Sequence, residues 1–373
     1  MKKMKKFKIL CAIFALIIFM GSSCQLFLGP DPDDSPRGIF NTIWSDFNRT
    51  YALFEHKNVD WTAVYNEFDP LITNDLTQAQ LFDAMEAMLS RLVDAHVGIS
   101  GLDHGDYLTS DEKADMPWDH TDYNVINLFD FGLVGLNYVD LKEGFYNYSL
   151  SYGRFRDNPN IGYIRILTFD LTEGIFMETG AWAKEIDNIL LDLADTVGLV
   201  LDLRGNGGGF PSNTDHIQSR FAATTERYMS VRSKTGPGRN DFSTPMWRTI
   251  SPAGTTYTKP IVMLTNSGST SCTEMFVLAL RTQDHVTHVG SNTTGALSVR
   301  IIRPLINGWD YSVSIQITED LDGKCWERWG EDPEDAGIPP EEIIPAPTWD
   351  DLFQNNIDSQ LQGALDHLLG LIQ

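Results

Sequence analysis

The sequence has few cysteines, few basic residues and only short apolar runs. Four cysteines in 373 residues are too few for a disulfide framework. Lysine and arginine number 28 against 51 aspartates and glutamates, which gives a formal net charge of −23. Such an acidic balance argues against nucleic acid or an anionic membrane surface as a partner. The 42% hydrophobic content nevertheless predicts a folded protein with a sizeable core.

The N-terminal residues follow the pattern of a bacterial export signal. Five lysines lie within the first eight residues, and the apolar run that follows, at 9–20, is too short to span a bilayer. Small residues then precede Cys24, an order that resembles a lipoprotein cleavage box, in which Cys24 becomes the lipidated N-terminus. We therefore expect residues 1–23 to be an export signal. The mature protein would sit in the cell envelope as an outer-membrane lipoprotein, on the periplasmic or the surface face, and would touch the membrane through its lipid only.

Composition divides the remaining chain into four parts. Residues 24–36 are rich in proline and aspartate, which predicts an extended tether. Apolar residues then recur at helical spacing, so residues 37–100 are expected to form a helical subdomain. Residues 101–160 predict a connecting β-rich segment. In residues 161–373 strand and helix patterns alternate, which is typical of an α/β fold with a largely parallel sheet.

One strand-to-loop transition in the α/β part carries three consecutive glycines. Residues 197–204 predict a buried strand, and the loop Gly205-Asn-Gly-Gly-Gly209 follows it. The Rossmann pattern needs a glycine where Phe210 stands, and no Lys-Ser/Thr pair completes a Walker loop. Such a loop can instead turn backbone N–H groups toward a ligand or an oxyanion. A merely flexible turn is the alternative.

A second transition, at residues 260–274, is crowded with hydroxyl groups. The apolar run at 261–264 ends in Asn, Ser, Gly and Thr residues, and a new apolar run begins at residue 275. This order predicts a buried strand, a sharp turn and a helix. Ser271 is the candidate nucleophile, although the lipase-type Gly-x-Ser-x-Gly pattern fails because threonine stands in place of its second glycine. Taken alone, residues 271–274 are better explained as a helix N-cap box than as a nucleophile turn.

Several blocks together resemble one protein family. Leu92-Val-Asp-Ala-His96 is similar to a Leu-x-Asp-x-His element, residues 198–209 to an Asp-Leu-Arg-x-Asn-x-Gly-Gly loop, and residues 268–274 to a Gly-Ser-Ala-Ser-Ala-Ser-Glu turn. Two further blocks, at 290–295 and 337–340, match in the same order. These are blocks of the tail-specific, or C-terminal-processing, serine proteases. The chain resembles the tricorn-like branch of that family over nearly its whole mature length.

This resemblance implies a fold and a mechanism. The fold would be α/β, with a crotonase-like (ββα spiral) catalytic core behind an N-terminal helical subdomain. The activity would be that of a serine-type endopeptidase with Ser271 as nucleophile, which needs a base to remove its proton. Many relatives use a lysine directly after the equivalent of Gly295, where this chain has Ala296. The tricorn-like branch uses a histidine that maps to His96, but its preceding serine is Ala95 here.

The remaining site residues also follow from the resemblance. A carboxylate should support the histidine, and Glu334 is the expected one. Four other carboxylates compete for this role: Glu327, Glu331, Asp335 and Asp94. The oxyanion donors are expected to be the N–H of Cys272 and that of Gly208 or Gly209. No metal or other cofactor is expected, because the eight histidines show no paired ligand spacing.

Other functions fit the same sequence. The chain could be an inactive homologue that binds peptides or apolar ligands, an esterase or amidase that uses the same serine, or a structural lipoprotein of a polysaccharide- or peptide-handling assembly. As a peptidase it would act on a peptide or protein substrate, and the sequence predicts no oligomeric state. Relatives often carry a PDZ domain after the helical region. The roughly 60 residues between Gly101 and Gly162 are too few for a full one.

Overall fold

The computed structural model describes residues 33–101, 105–108, 138–142, 149–170, 179–328 and 337–373. The expected export signal, Cys24, most of the expected tether and Glu334 lie outside these residues. The α-helices are α1 Pro36–Thr50, α2 Phe54–Lys57, α3 Trp61–Phe68, α4 Gln78–Leu89, α5 Ala181–Lys184, α6 Ile186–Asp192, α7 Pro211–Gln218, α8 Cys272–Leu280, α9 Trp349–Phe353 and α10 Ser359–Leu371. None of the described helices has the length and apolarity that a bilayer crossing requires.

The described strands form three sheets. The strands are β1 Gly98–Gly101, β2 Gly105–Leu108, β3 Val139–Leu141, β4 Leu150–Phe155, β5 Ile161–Ile166, β6 Gly198–Asp202, β7 Glu226–Ser233, β8 Met246–Ile250, β9 Ile261–Thr265, β10 Val286–Gly290, β11 Arg300–Pro304, β12 Asp310–Ser314, β13 Gln316–Glu319 and β14 Glu342–Ile343. The sheet orders are β14-β10-β9-β6-β5-β4-β3, β11-β12-β1-β2 and β13-β7-β8. In the seven-stranded sheet, β5, β6, β9, β10 and β14 run parallel.

The central strands of the seven-stranded sheet are apolar because both sheet faces are covered. Strands β6 and β9 are buried at every position. Helices α5 to α8 cover one face, and every residue of α8 is buried. Helix α10 covers the other face through Leu361, Leu365 and Leu368. Since β6 and β9 are paired in parallel, the loops that follow them, with the glycines and Ser271, emerge at the same edge.

The helical subdomain packs on the four-stranded antiparallel sheet. Helix α4 begins with a capping box of Thr77 and Gln80. Phe40 and Phe47 of α1 and Trp61 and Phe68 of α3 belong to a buried cluster that also takes in Tyr311 and Val313 of β12. Residues 98–101, expected at the end of the helical subdomain, form β1 and pair with β12, more than 200 positions later. The helical subdomain is therefore completed by residues from the C-terminal part of the chain.

Candidate active site

Ser271 lies in the sharp turn between β9 and α8 and has a strained backbone. Its φ of 60° and ψ of −119° are rare for a residue with a Cβ and cost about 1–3 kcal/mol. Neighbouring hydroxyls secure the turn: Ser269 Oγ donates to Leu203 O at 2.9 Å, and Thr273 Oγ donates to Asn206 O at 3.0 Å. These hydroxyls therefore have structural partners on the neighbouring glycine-rich loop, and the turn is fixed against it.

The carboxylate of Glu274 anchors this turn from inside the protein. Its Oε2 accepts the N–H of Ser271 at 2.9 Å and that of Ala296 at 2.8 Å, and its Oε1 accepts the N–H of Gly295 at 2.8 Å and the hydroxyl of Thr293 at 2.6 Å. Burial raises the pKa of this carboxyl group, and the four donors oppose that rise. The sequence indicated a capping role for Glu274. The structure adds that it ties the nucleophile turn to residues 293–296.

The glycine-rich loop touches the nucleophile turn at Gly208. A Cβ added to Gly208 would lie 2.8 Å from Ser271 Cβ and 2.7 Å from the carbonyl oxygen of Thr270, and its φ is +89°. Only glycine allows this approach and this backbone conformation. The N–H of Gly208 donates to Asn206 Oδ1 at 2.9 Å. That amide is therefore already engaged, which makes Gly208 the weaker of the two expected glycine donors to an oxyanion.

The N–H groups of Gly209 and Cys272 remain as the candidate oxyanion donors. The carbonyl of Gly208 accepts the N–H of Phe169 at 2.7 Å, so the trans peptide directs the Gly209 N–H the opposite way. The N–H of Cys272 is the first of α8, and among the described residues neither of these two amides has a hydrogen-bond acceptor. The Cys272 thiol donates to Gly209 O at 3.0 Å, and burial raises its pKa to about 11. This thiol is therefore neutral and structural.

His96 lies between the end of the helical subdomain and β1. Its backbone N–H donates to Asp94 Oδ1 at 2.8 Å, and Asp94 Oδ2 accepts the hydroxyl of Tyr51 at 2.8 Å. Ser312 Oγ of β12 donates to the carbonyl of His96 at 2.8 Å. The residue is 8% exposed. Asp94, one of the competing carboxylates, therefore holds the backbone of His96 in place.

Burial keeps the imidazole of His96 neutral. Desolvation lowers the pKa of its imidazole to about 4, against the opposing effect of the Asp94 charge. The positive charges of Arg300 and Lys57 lower it further, whereas a hydrogen bond with the backbone of Ser298 raises it. Nδ1 is buried and has no hydrogen-bond partner among the described residues. At neutral pH the imidazole is thus uncharged, which is the form that a general base needs.

Glu327 lies in the same pocket as His96. Its Oε1 accepts the N–H groups of Leu297, at 2.9 Å, and of Ser298, while Oε2 is buried without a described partner. Burial and the negative charge of Asp94 raise its pKa to about 8. The Ser298 backbone and the Asp94 and Lys57 charges act on both groups, so the carboxyl and the imidazole share the same electrostatic surroundings. Among the competing carboxylates, Glu327 is thus a candidate for the supporting group, while Glu334 stays a prediction outside the described residues.

One short segment connects the serine turn with this pocket. The N–H groups of Gly295 and Ala296 donate to Glu274, and those of the next two residues donate to Glu327. Four consecutive residues span at most about 11 Å, so the supports of Ser271 and His96 are neighbours. No hydrogen bond joins the Ser271 hydroxyl to the His96 ring within the described residues. Apo sites are often loose in this respect and tighten with substrate.

The part of the chain that the structure describes shows no group of three or more His, Cys, Asp or Glu side chains that could hold a metal ion.

Comparison with known proteins indicates a site of the serine-peptidase type. Residues 160–338 match the family model described as Peptidase family S41, and residues 32–90 match that of the Tricorn protease C1 domain. The chain carries a peptidase family S41 domain. The predicted relationship to the tail-specific, C-terminal-processing proteases is thereby confirmed.

The curated relatives of this chain are matched over only part of their length. Carboxy-terminal processing protease CtpA of Bacillus subtilis is 27% identical over 185 residues, which is 49% of this chain and 36% of that protein. The carboxy-terminal-processing protease of Bartonella bacilliformis is 32% identical over 152 residues, which is 41% of this chain and 33% of that protein. The chain thus spans about a third of the length of these relatives.

A solved structure matches nearly the whole of this chain. A candidate peptidase from Parabacteroides merdae is 27% identical, and the match has a TM-score of 0.75 and covers 90% of this chain and 98% of that one. The predicted fold class, a mixed α/β core preceded by helices, is confirmed.

Proposed function

We propose that this chain is a serine-type endopeptidase that cleaves peptide or protein substrates, with Ser271 as nucleophile and His96 as base. The observation that carries this proposal is that one short segment, residues 295–298, holds the carboxylates that support both residues. Glu274 holds the strained Ser271 turn, the charges of Asp94 and Lys57 act on both Glu327 and His96, and the amides of residues 295–298 hold both carboxylates. The S41 domain supports a hydrolase of this type.

The proposed reaction is acyl transfer in two steps. Ser271 Oγ attacks the scissile carbonyl and forms a C–O bond while its proton passes to His96. The protonated imidazole then gives this proton to the leaving amine as the C–N bond breaks. Water, activated by the same ring, hydrolyses the acyl-enzyme and restores the serine. Glu327 in its ionised form stabilises the imidazolium that exists between these transfers.

We assign the stabilisation of the negative charge on the substrate's carbonyl oxygen to two backbone N–H donors. The N–H groups of Gly209 and Cys272 lie on the two chain segments that meet at Gly208. Donors that are fixed before the reaction need no reorganisation when the charge develops, and removing one typically costs about 2.7–4 kcal/mol of transition-state stabilisation.

A fluorophosphonate probe tests this proposal, because it reacts with an activated serine. We expect the purified protein to be labelled, and both Ser271→Ala and His96→Ala to abolish labelling. Casein and small ester substrates then separate a peptidase from an esterase that uses the same serine. A wild-type protein that is not labelled while correctly folded would refute the enzyme assignment and favour an inactive, ligand-binding homologue. Labelling that survives Ser271→Ala would refute the choice of serine.

The expected export and lipid anchor belong to the same proposal. The lysine-rich start, the apolar run and Cys24 support an envelope lipoprotein in the outer membrane, facing the periplasm or the surface. Cells grown with a fatty-acid analogue should transfer the label to the wild-type protein and not to Cys24→Ala. A Cys24→Ala protein that carries as much label as the wild type would contradict lipidation at this residue.

A further inference from the structure

A single turn of helix, α2, reaches both chain segments that form the base pocket. Its last residue, Lys57, is 6% exposed. Lys57 Nζ donates to the carbonyl of Val93 at 2.8 Å and to that of Arg328. The preceding residue, His56, donates from Nε2 to the carbonyl of Glu327 at 2.8 Å. Helix α2 thus contacts the segment that leads into His96 and the backbone that carries Glu327.

The segment before His96 needs such a contact. Val93 has a φ of +46°, which is a strained conformation for a β-branched residue. The strain lies three residues before His96, so relaxation of Val93 would move the ring. An ammonium group bound to the Val93 carbonyl opposes that relaxation directly. Because the same ammonium also binds the Arg328 carbonyl, it fixes one segment relative to the other.

We propose that Lys57 is a positioning residue for the Ser271 reaction, which it serves by clamping the His96 segment to the Glu327 segment and by holding a positive charge that acts on both side chains. This inference rests on the proposed function, since it assigns Lys57 a task in that same site. Neither the family motifs nor the sequence pattern points to Lys57. In sequence it is an ordinary charged residue at a helix end.

A lysine suits this position better than a neutral donor would. A buried ammonium requires acceptors, and the carbonyls of Val93 and Arg328 provide two of them. Its charge lowers the pKa of Glu327 and that of His96. Both effects favour the ionised carboxylate and the neutral imidazole, which is the form that accepts the serine proton. The other titratable or charged groups acting on this pocket are Asp94, Tyr51, His56, Glu274, Arg300 and Cys325.

The test compares pH profiles of kcat/KM for wild type, Lys57→Met, Lys57→Arg and a matched control. Lys259 is the control, because its Nζ also bridges two backbone carbonyls, those of Ala194 and Thr196, outside the site. We expect Lys57→Met to lower kcat about tenfold or more with little change in KM. The acid limb of the kcat/KM profile of Lys57→Met should move to higher pH by about one unit, since the pKa values of Glu327 and His96 both rise without the lysine charge. Lys57→Arg should recover part of both effects, and Lys259→Met should change neither.

Two further measurements keep the inference falsifiable. Lys57→Gln retains a hydrogen-bond donor without the charge, so it should show the shifted acid limb even where Lys57→Met folds poorly. An NMR titration of the His96 ring should show a higher pKa in Lys57→Gln than in wild type, whether or not the protein turns over substrate. A wild type that fluorophosphonate does not label would refute the proposed function, while the ring titration would still decide the role of Lys57. Uniform loss of activity with an unchanged limb and an unchanged ring pKa would overturn the inference.

Discussion

The backbone N–H groups of Ser271 and Ala296 donate to the same oxygen, Oε2 of Glu274, at 2.9 and 2.8 Å. Ala296 occupies the position at which many relatives of the predicted family carry a lysine base. In this chain that position contributes a backbone amide that fixes the nucleophile turn through Glu274. The base is instead assigned to His96, on a segment 175 positions before the serine.

Replacing Glu274 by glutamine should destabilise the protein and weaken labelling of Ser271. An amide nitrogen in place of either carboxylate oxygen would face at least one backbone N–H donor, and it cannot accept that hydrogen bond. Since the group is fully buried, we expect a loss of about 2–4 kcal/mol in the free energy of unfolding. Chemical denaturation measures it. The exposed Glu226→Gln should change stability by less than about 0.5 kcal/mol, and a similar small change in Glu274→Gln would contradict the anchoring role.

The strain at Ser271 predicts an unusual order of stabilities. Both Ser271→Ala and Ser271→Gly remove the nucleophile, but glycine adopts a φ of 60° without steric cost. We therefore expect the glycine variant to be more stable than the alanine variant by about 1 kcal/mol. Thermal unfolding of the pair measures the difference. At Ser269, which has an ordinary φ, the order should reverse; glycine that is less stable than alanine at both positions would refute the strain.

We expect the close approach of Gly208 to the Ser271 turn to be essential for the reactivity of Ser271. Alanine at this position would place its Cβ 2.7 Å from the Thr270 carbonyl and 2.8 Å from Ser271 Cβ, at a φ of +89°. We expect Gly208→Ala to lower the rate of fluorophosphonate labelling by about a hundredfold or more, since the serine and both oxyanion segments must shift. Gly207→Ala is the control, because a Cβ there meets nothing within 4 Å. Equal rates for the two variants would contradict the close approach.

The pair of His96 and Glu327 predicts a pH profile displaced toward alkaline pH. The pKa of His96 falls to about 4 and that of Glu327 rises to about 8. The proposed reactive form has lost the dissociable protons of both groups, leaving a neutral imidazole and an ionised carboxylate. We therefore expect kcat/KM to increase with pH through a limb near the raised pKa of Glu327, above the value of about 6.5 for an ordinary histidine.

Glu327→Gln should move this limb in the opposite direction. Without the carboxyl proton, only the imidazole titrates, and its pKa is lowered by burial. The limb should then appear at acidic pH, and the plateau should fall by about a hundredfold or more because the imidazolium loses its negative partner. The exposed Glu341→Gln serves as control and should match the wild type. A limb that stays in place in Glu327→Gln would leave the supporting role to another carboxylate, such as Glu334.

Local patterns determined much of this protein from sequence alone. The apolar runs before the glycine-rich loop and before Ser271 predicted β6 and β9, because buried parallel strands are continuously apolar. The apolar segment after Ser271 predicted α8. The motif blocks indicated Ser271 and His96 as candidates, and the alanine at position 296 excluded the lysine base. Each of these inferences depends on residues that are close together in the chain.

Only the tertiary structure decided how distant segments meet. Strand β1 pairs with β12 from the far end of the chain, and no local pattern encodes such a pairing. The choice of Glu327 among several acidic residues depends on which side chain turns inward, and the preference for Gly209 depends on where the Asn206 side chain donates or accepts. Lys57 gains its role from two carbonyls on segments 36 and 271 positions away. These relationships arise from packing, which brings together residues whose sequence separation carries no periodic signal.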